Sequence, residues 1–343
     1  MVRWTEAPAE PTYDVDEPGD LDEPRRPRRG SVTALLALLT LLFLAYGVAR
    51  VIGLDDLVDL AFVAGAMALT PYVIAGCLVL AVVTFVLRRR MLALVVLVVA
   101  LSLGVLLGPR VLSEEQPQAT GTRLRIMAAN LYVGRADART IVNLVRQQQV
   151  DILTMPELTP LEVSALDDAG LAELLPYRVF DARPGGDGTG LAANVPLRQV
   201  IVMSETTFSQ PTVKVELPGR DDIQLTAVHV QPPLYDEDVR TWRTELAGLP
   251  KAAPEDRVSI LAGDFNATFD HAAFRNLIDR GYADAAEQTG NGLDATWSSL
   301  PTGPPLTIDH IVVDDRCAIS SYAVYGLPGS DHNAIIAEVV LPQ

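Results

Sequence analysis

The chain has 343 residues, 49% of them hydrophobic, and a formal net charge of −16, while its mean hydropathy is +0.23. Two cysteines exclude a disulfide-stapled scaffold and a cysteine-based zinc cluster, and the composition excludes a collagen-like or wholly disordered chain. The acidic balance argues against gripping nucleic acid by bulk charge.

Residues 1–30 carry Pro8, Pro11, Pro18, Pro24 and Pro27 among many acids and almost no branched aliphatics. Such a segment buries too little apolar surface to offset the entropy of ordering, so a disordered cytoplasmic tail is expected. It closes on Arg25, Arg26, Arg28 and Arg29, and three uncharged apolar runs follow at 32–49, 60–87 and 91–108. A hydrocarbon core of about 30 Å takes about 20 helical residues, and uncharged runs leave no polar face for water. Residues 31–109 are therefore expected to hold three transmembrane helices, near 32–50, 66–87 and 91–108. Pro71 suits the first turn of the middle one. Arginines before the first run and Arg88, Arg89 and Arg90 between the last two put the N-terminus inside and all that follows the third span outside, in a multi-pass cell-membrane protein. The loop between the first two spans carries Asp55, Asp56 and Asp59 instead. Arg50 and Arg110 fall singly on the outer side, with side chains long enough to reach headgroups.

Residues 110–121 are expected as a linker, and 122–343 as one globular domain with 17 Lys+Arg against 30 Asp+Glu, a net −13. Strands are expected at 124–130, 152–155, 212–217, 223–230, 258–262, 306–313 and 335–341, and helices at 138–149, 236–249 and 270–280. Strands outnumber helices, and hairpin-like pairs mix with crossovers. That pattern points to an α/β or α+β sandwich with mixed sheets. Cys77 in the second span and Cys317 in the globular domain cannot meet, so no intrachain disulfide is expected.

Acid, amide and imidazole side chains interrupt the apolar strands at their ends. They are Asn130, Glu157, His229, Gly263-Asp264-Phe265-Asn266, Ile308-Asp309-His310-Ile311 and Ser330-Asp331-His332. Singly these are ordinary residues, since Asp and Asn cap turns and helices and a lone histidine is more often a satisfied core residue. Together they look like a site. Asp264 and Asn266 share one face of an extended segment, and carboxylate and amide oxygens suit Mg²⁺, Mn²⁺ or Ca²⁺. His271, at the start of a helix, is expected at the surface or as a cap.

The order and wording of these segments resemble the endonuclease/exonuclease/phosphatase superfamily, whose members include deoxyribonuclease-I-like nucleases, inositol polyphosphate phosphatases and neutral sphingomyelinases. The likeness spans roughly 122–343. It implies a four-layered sandwich of two mixed β-sheets flanked by helices, and metal-dependent hydrolysis of a phosphodiester or phosphomonoester. It implies Glu157 as the principal Mg²⁺ ligand with Asn130 close by, and Asp331 as a further acid at the metal. Asp264 and Asn266 match the pair that orients the attacking water and contacts the phosphate. His332 matches the catalytic histidine, Asp309 the carboxylate that holds its ring, and His229 a histidine facing the scissile phosphate. Two positions depart from the pattern: Pro156 stands where many relatives have Gln, and residues 188–196 lack the serine common there.

The physics agrees with that allocation. Neutralised phosphate oxygens and an aligned water make P–O cleavage feasible, and an aspartate-backed histidine keeps its orientation near neutral pH. Either Asp264 or His332 can take the proton from water. The reading is a membrane-anchored, extracytoplasmic phosphoester hydrolase tethered through three spans, with no protein partner expected. Its substrate is a lipid headgroup, a nucleotide or a nucleic acid. An extracellular nuclease is the alternative, and a non-catalytic binding module on the same fold the third.

Overall fold

The computed structural model describes residues 29–200, 206–252, 257–298 and 303–343. The expected tail lies outside them except for Arg29 and Gly30. Period-two burial builds the globular part. On β1 (Arg123–Ala128) the side chains of Leu124, Ile126 and Ala128 enter the layer between two sheets, while Met127 packs outward against Ile141, Val142 and Val145. The latter three lie on α6 (Ala138–Gln148), which is capped by the Asp137 carboxylate accepting from Thr140 N.

The first sheet runs β11 (Ala318–Tyr325), β12 (Ala334–Val340), β1, β2 (Ile152–Pro156), β4 (Thr189–Ala193), β3 (Tyr177–Asp181). The second runs β5 (Leu197–Val200), β6 (Thr212–Leu217), β7 (Arg220–His229), β8 (Val258–Asp264), β10 (Asp309–Asp314), β9 (Tyr282–Asp284). Only β1/β2 and β7/β8 pair in parallel among these neighbours, so the sheets are mixed, as expected. Helices α6, α7 (Pro160–Asp168) and α8 (Leu171–Leu174) cover the first sheet. On the second lie α9 (Asp236–Gly248) and α10 (Ala272–Ile278), whose Val239, Trp242, Phe274 and Leu277 pack on Leu261 and Val312. The short α11 (Ala285–Gln288) follows β9. This is the expected four-layered sandwich.

The apolar runs form α1 (Arg29–Ile52), α4 (Thr70–Val86) and α5 (Arg90–Leu107), joined through α2 (Leu54–Leu57) and α3 (Ala61–Met67). The three long helices pack around Leu36, Cys77, Leu80, Val96 and Leu103 and leave Leu35, Leu41, Val79, Val82 and Leu101 exposed. Two segments, Gly30–Ile52 and Arg90–Val111, are long and apolar enough to cross a membrane. The third expected span is corrected: its run is bent by 72° between α3 and α4, and the pair counts as a span only if taken together. Pro71 in the first turn of α4 cannot donate back into α3. The Tyr46 hydroxyl sits 3.2 Å from the Ala66 carbonyl and 2.8 Å from Thr70 Oγ1, at the break. Cys77 and Cys317 are both buried and unpaired.

Beyond the bend, α3 belongs to the sandwich. Ala64 is buried in the same cluster as Trp242 and Phe274, Ala61 N donates to Asp236 Oδ1 at 2.8 Å, and Ala272 N donates to Asp55 Oδ2 at 2.7 Å. Asp59 binds Arg240 and Arg243. Arg50 and Arg110 do not reach for headgroups. Arg50 Nε lies 3.1 Å from Asp270 Oδ1 and Arg110 Nη1 lies 2.7 Å from Asp270 Oδ2, with all three side chains buried. A carboxylate at hand neutralises the guanidinium groups locally, which the sequence around each arginine does not reveal.

Removing one partner of such a buried cluster leaves charge uncompensated. Asp270→Ala is expected to cost the full chain in detergent about 3–5 kcal/mol, read as a fall in thermal midpoint. Asp59→Ala, at a solvent-screened pair, is expected to shift that midpoint far less.

Candidate active site

Both parallel strand pairs end at one edge, and their last residues supply the site. Asn130 lies just beyond β1 and Glu157 just beyond β2. In the second sheet the register sets His229 beside Asp264 and Asp264 opposite Asp309. Asn130 Nδ2 joins the two sheets by donating to Glu157 Oε1 at 3.1 Å and to Asp264 Oδ2 at 3.0 Å. Its own Oδ1 accepts from Tyr132 N at 2.9 Å. Tyr132, Val133, Glu157 and Asn266 all have positive φ, between 47° and 61°. Non-glycine residues rarely hold that conformation, and such strain gathers at functional sites.

His332 arrives on the loop before β12. Its Nδ1 lies 2.9 Å from Asp309 Oδ2, while Nε2 lies 3.8 Å from Asp264 Oδ2 and 3.9 Å from Asp331 Oδ1. Burial disfavours the imidazolium, but Asp309, Asp264 and Asp331 outweigh it and hold the His332 pKa up at about 10. Burial, then the neighbouring Asp309 charge, pushes Asp264 up to about 7 against the opposing pull of His332. Burial also raises Glu157, although Asn130 and the Val133 N–H, 2.7 Å from Oε2, favour its charged form. His229 is buried against the Phe208 ring, with centroids 4.3 Å apart. Burial, and then the charge on His332, pushes its pKa down to about 3, so it is neutral.

A cavity of about 430 Å³ collects Glu157, His229, Asp264, Asn266, Asp331 and His332 on one wall. Asn266 is fixed by its N–H on Asp264 Oδ1 and its Nδ2 on the Val230 carbonyl. All eight candidate residues therefore converge on one region. Asp264, Asp309 and His332 also offer ligand atoms within 4.8 Å of one another, but the His332–Asp309 hydrogen bond already occupies one ring nitrogen. Asp331 differs: Oδ2 accepts from Trp297 Nε1 at 3.0 Å, whereas the buried Oδ1 has no hydrogen-bond partner among the described residues. A buried carboxylate oxygen left open beside a second carboxylate suits a hard divalent cation.

Several participants escape a reading of the sequence. Trp297 holds Asp331, and Thr296 Oγ1 accepts from both Ile308 N and Asp309 N at 3.0 Å. Ser330 Oγ donates to the Asn130 carbonyl and accepts from His332 N, tying the last loop to the first. Trp297 and Thr296 sit in no recognisable pattern of their own, whereas Ser330 stands in the Ser330-Asp331-His332 segment without its tie being visible there. His310 faces away from the cavity and binds Asp284 Oδ2 and the Ala267 carbonyl. His271 stands at the N-cap position of α10, as expected of a cap, but its side chain makes no capping bond and is buried, not at the surface, with Nε2 2.9 Å from the Ala64 carbonyl. The docking of α3 covers it.

The profile of the Endonuclease/Exonuclease/phosphatase family matches residues 127–332. Among solved structures, TDP2 of D. rerio humanized by 14 mutations is 18% identical with a TM-score of 0.50, over 63% of this chain and 98% of its own. D. rerio TDP2 complexed with single strand DNA product is 18% identical with a TM-score of 0.50, over 64% and 99%. An AP endonuclease from Archaeoglobus fulgidus is 14% identical with a TM-score of 0.51, over 62% and 98%. At such identities the likeness is one of fold. No curated protein matches the chain.

The glycine before Asp264 shows how tightly the edge is built. Gly263 has φ +145°, and a Cβ there would stand 2.1 Å from the Val228 carbonyl oxygen. Gly263→Ala must push β7 away from β8 and displace His229 and Asp264 together. It is expected to destabilise the full chain by about 3 kcal/mol or more, measured by thermal denaturation in detergent.

Proposed function

The chain belongs to the endonuclease/exonuclease/phosphatase family, and from that premise we propose a membrane-anchored, metal-dependent phosphoester hydrolase with its catalytic domain outside the cell membrane. The observation that carries the reading is the buried Asp309–His332–Asp264 array beside Glu157 and Asp331 on one wall of a cavity.

Glu157 and Asp331 are the residues that would hold the ion, best Mg²⁺, with Mn²⁺ or Ca²⁺ as substitutes. The open Asp331 Oδ1 supports this. Asn130 turns its amide nitrogen to Glu157 and Asp264, which supports a role in holding those carboxylates in place more than as a direct ligand. When bound, such an ion neutralises non-bridging phosphate oxygens. Asp264, oriented by Asn130 and the Asn266 N–H, takes the proton of the attacking water. The water oxygen bonds to phosphorus as the ester P–O bond breaks, the leaving oxygen takes a proton from solvent, and Asp264 returns to solvent the one it accepted. His332, kept charged and aligned by Asp309, stabilises the negative charge that builds on the phosphoryl oxygens. Neutral His229 and the Asn266 amide bind the phosphate.

The ends of the bundle support this orientation in the membrane. Arg88, Arg89 and Arg90 lie at the end opposite Arg50 and Arg110, which are pinned to the domain through Asp270. A cytoplasmic basic end is the one the positive-inside rule favours. A polymer-tracking nuclease is disfavoured by the domain charge of −13.

The test uses the full chain in detergent with bis(p-nitrophenyl) phosphate and p-nitrophenyl phosphate. Turnover of at least one is expected with Mg²⁺ and its loss with EDTA. His332→Ala and Asp264→Ala are each expected to lower kcat by about 10²–10⁴-fold while the thermal transition persists. A folded wild-type chain inactive on these esters, phospholipids, nucleotides and nucleic acids would identify a binding module instead.

A further inference from the structure

The cavity has two unlike walls. One holds the carboxylates and histidines described above. The other is apolar and comes partly from outside the sandwich: Ala64, Gly65 and Ala68, on and just after α3, line it with Pro233, Leu234 and Ile308. Helix α3 joins the outer end of α1 to the start of α4, so one side of the reaction chamber is made by the turn between membrane-region helices. The position is anchored, because His271 lines the same cavity and bonds Ala64 while the adjacent Asp270 receives Arg50 and Arg110.

The rim continues this apolar wall. Phe62 on α3 is 85% exposed and Leu234 is 68% exposed, and the Ala61–Asp236 hydrogen bond holds the two segments side by side. Among the described residues that line the cavity there is no lysine or arginine. A polynucleotide needs cations for the phosphates flanking the scissile one, and among the described lining residues the charged His332 is already taken up by the scissile phosphate. A single phosphate attached to hydrocarbon needs what is present: one polar wall for the ester and one apolar wall leading back to the bilayer.

We propose that the substrate is a membrane-resident amphiphile whose phosphate ester lies among Glu157, Asp331 and His332 while its hydrocarbon runs along α3. The inference rests on the hydrolase reading above and narrows it to one substrate class. Gly65 is the place to probe it, because a Cβ there meets nothing within 4 Å and a larger side chain enters the chamber without disturbing the helix.

The experiment compares the full chain, in mixed micelles with Mg²⁺, on phosphatidic acid, phosphatidylglycerol, phosphatidylinositol and a polyprenyl phosphate. Each is supplied in a long-chain form and as its short-chain counterpart, beside a single-stranded DNA oligonucleotide. For at least one headgroup, kcat/KM is expected to be about 10-fold or more higher for the long-chain form, since each buried methylene adds to binding. Gly65→Phe is expected to shrink that long-to-short preference about 10-fold, chiefly through KM. Hydrolysis with no chain-length preference for any headgroup, or faster cleavage of the oligonucleotide, would overturn the substrate class and leave the hydrolase intact. Inactivity on every compound, aryl esters included, would instead bring down the underlying hydrolase reading.

Discussion

Two carboxylates stand directly opposite each other on neighbouring antiparallel strands, both buried: Asp264 on β8 and Asp309 on β10. Like charges in that position repel, and burial strengthens the repulsion. The pair is tolerable because His332 comes down between them, hydrogen-bonded to one and facing the other. The compensation works both ways, since the imidazole keeps its proton in a buried place because of the acids around it. The ends of β7, β8 and β10, the Ser330 tie to β1 and the Thr296 clamp on β10 all serve to hold that arrangement.

The same device recurs with the signs reversed where the helical bundle meets the sandwich. There a buried aspartate, Asp270, pairs with two arginines that arrive from different helices, and Glu287 sets a second carboxylate beside Arg110. Buried ion clusters contribute less to stability than their Coulomb attraction suggests, because desolvation offsets it. Their value here is geometric. Each satisfied partner specifies one docking of bundle on sandwich, and that docking sets α3 beside the catalytic cavity. The apolar wall of the cavity is therefore incomplete without the segment between α1 and α4.

How far the sequence went depends on whether the information was local. The period-two runs of β1, β7, β8 and β12 and the apolar helices are visible because each buries a contiguous face. Strands β3, β4 and β5 are not. Tyr177–Asp181 and Leu197–Val200 are edge strands that bury little. Thr189–Ala193 is small-residue sequence with weak strand propensity, central in its sheet because Gly190 lets Phe180 and Leu158 come close. The break at Pro71 was readable as a helix start, while the 72° turn behind it was not.

The sequence by itself determined the family, the apolar segments and the identity of the eight polar residues that meet at or just behind the cavity, because each lies in a short segment whose chemistry is written consecutively. Alternation likewise says that Asp309 and His310 point opposite ways. Only the tertiary structure decided where His310 is bound, that Arg50 and Arg110 share a carboxylate, that His271 is covered, and that Trp297 and Thr296 hold the acids in place. Those outcomes turn on partners lying dozens to hundreds of positions away, and pairing at that range leaves no trace in the residues that flank either partner.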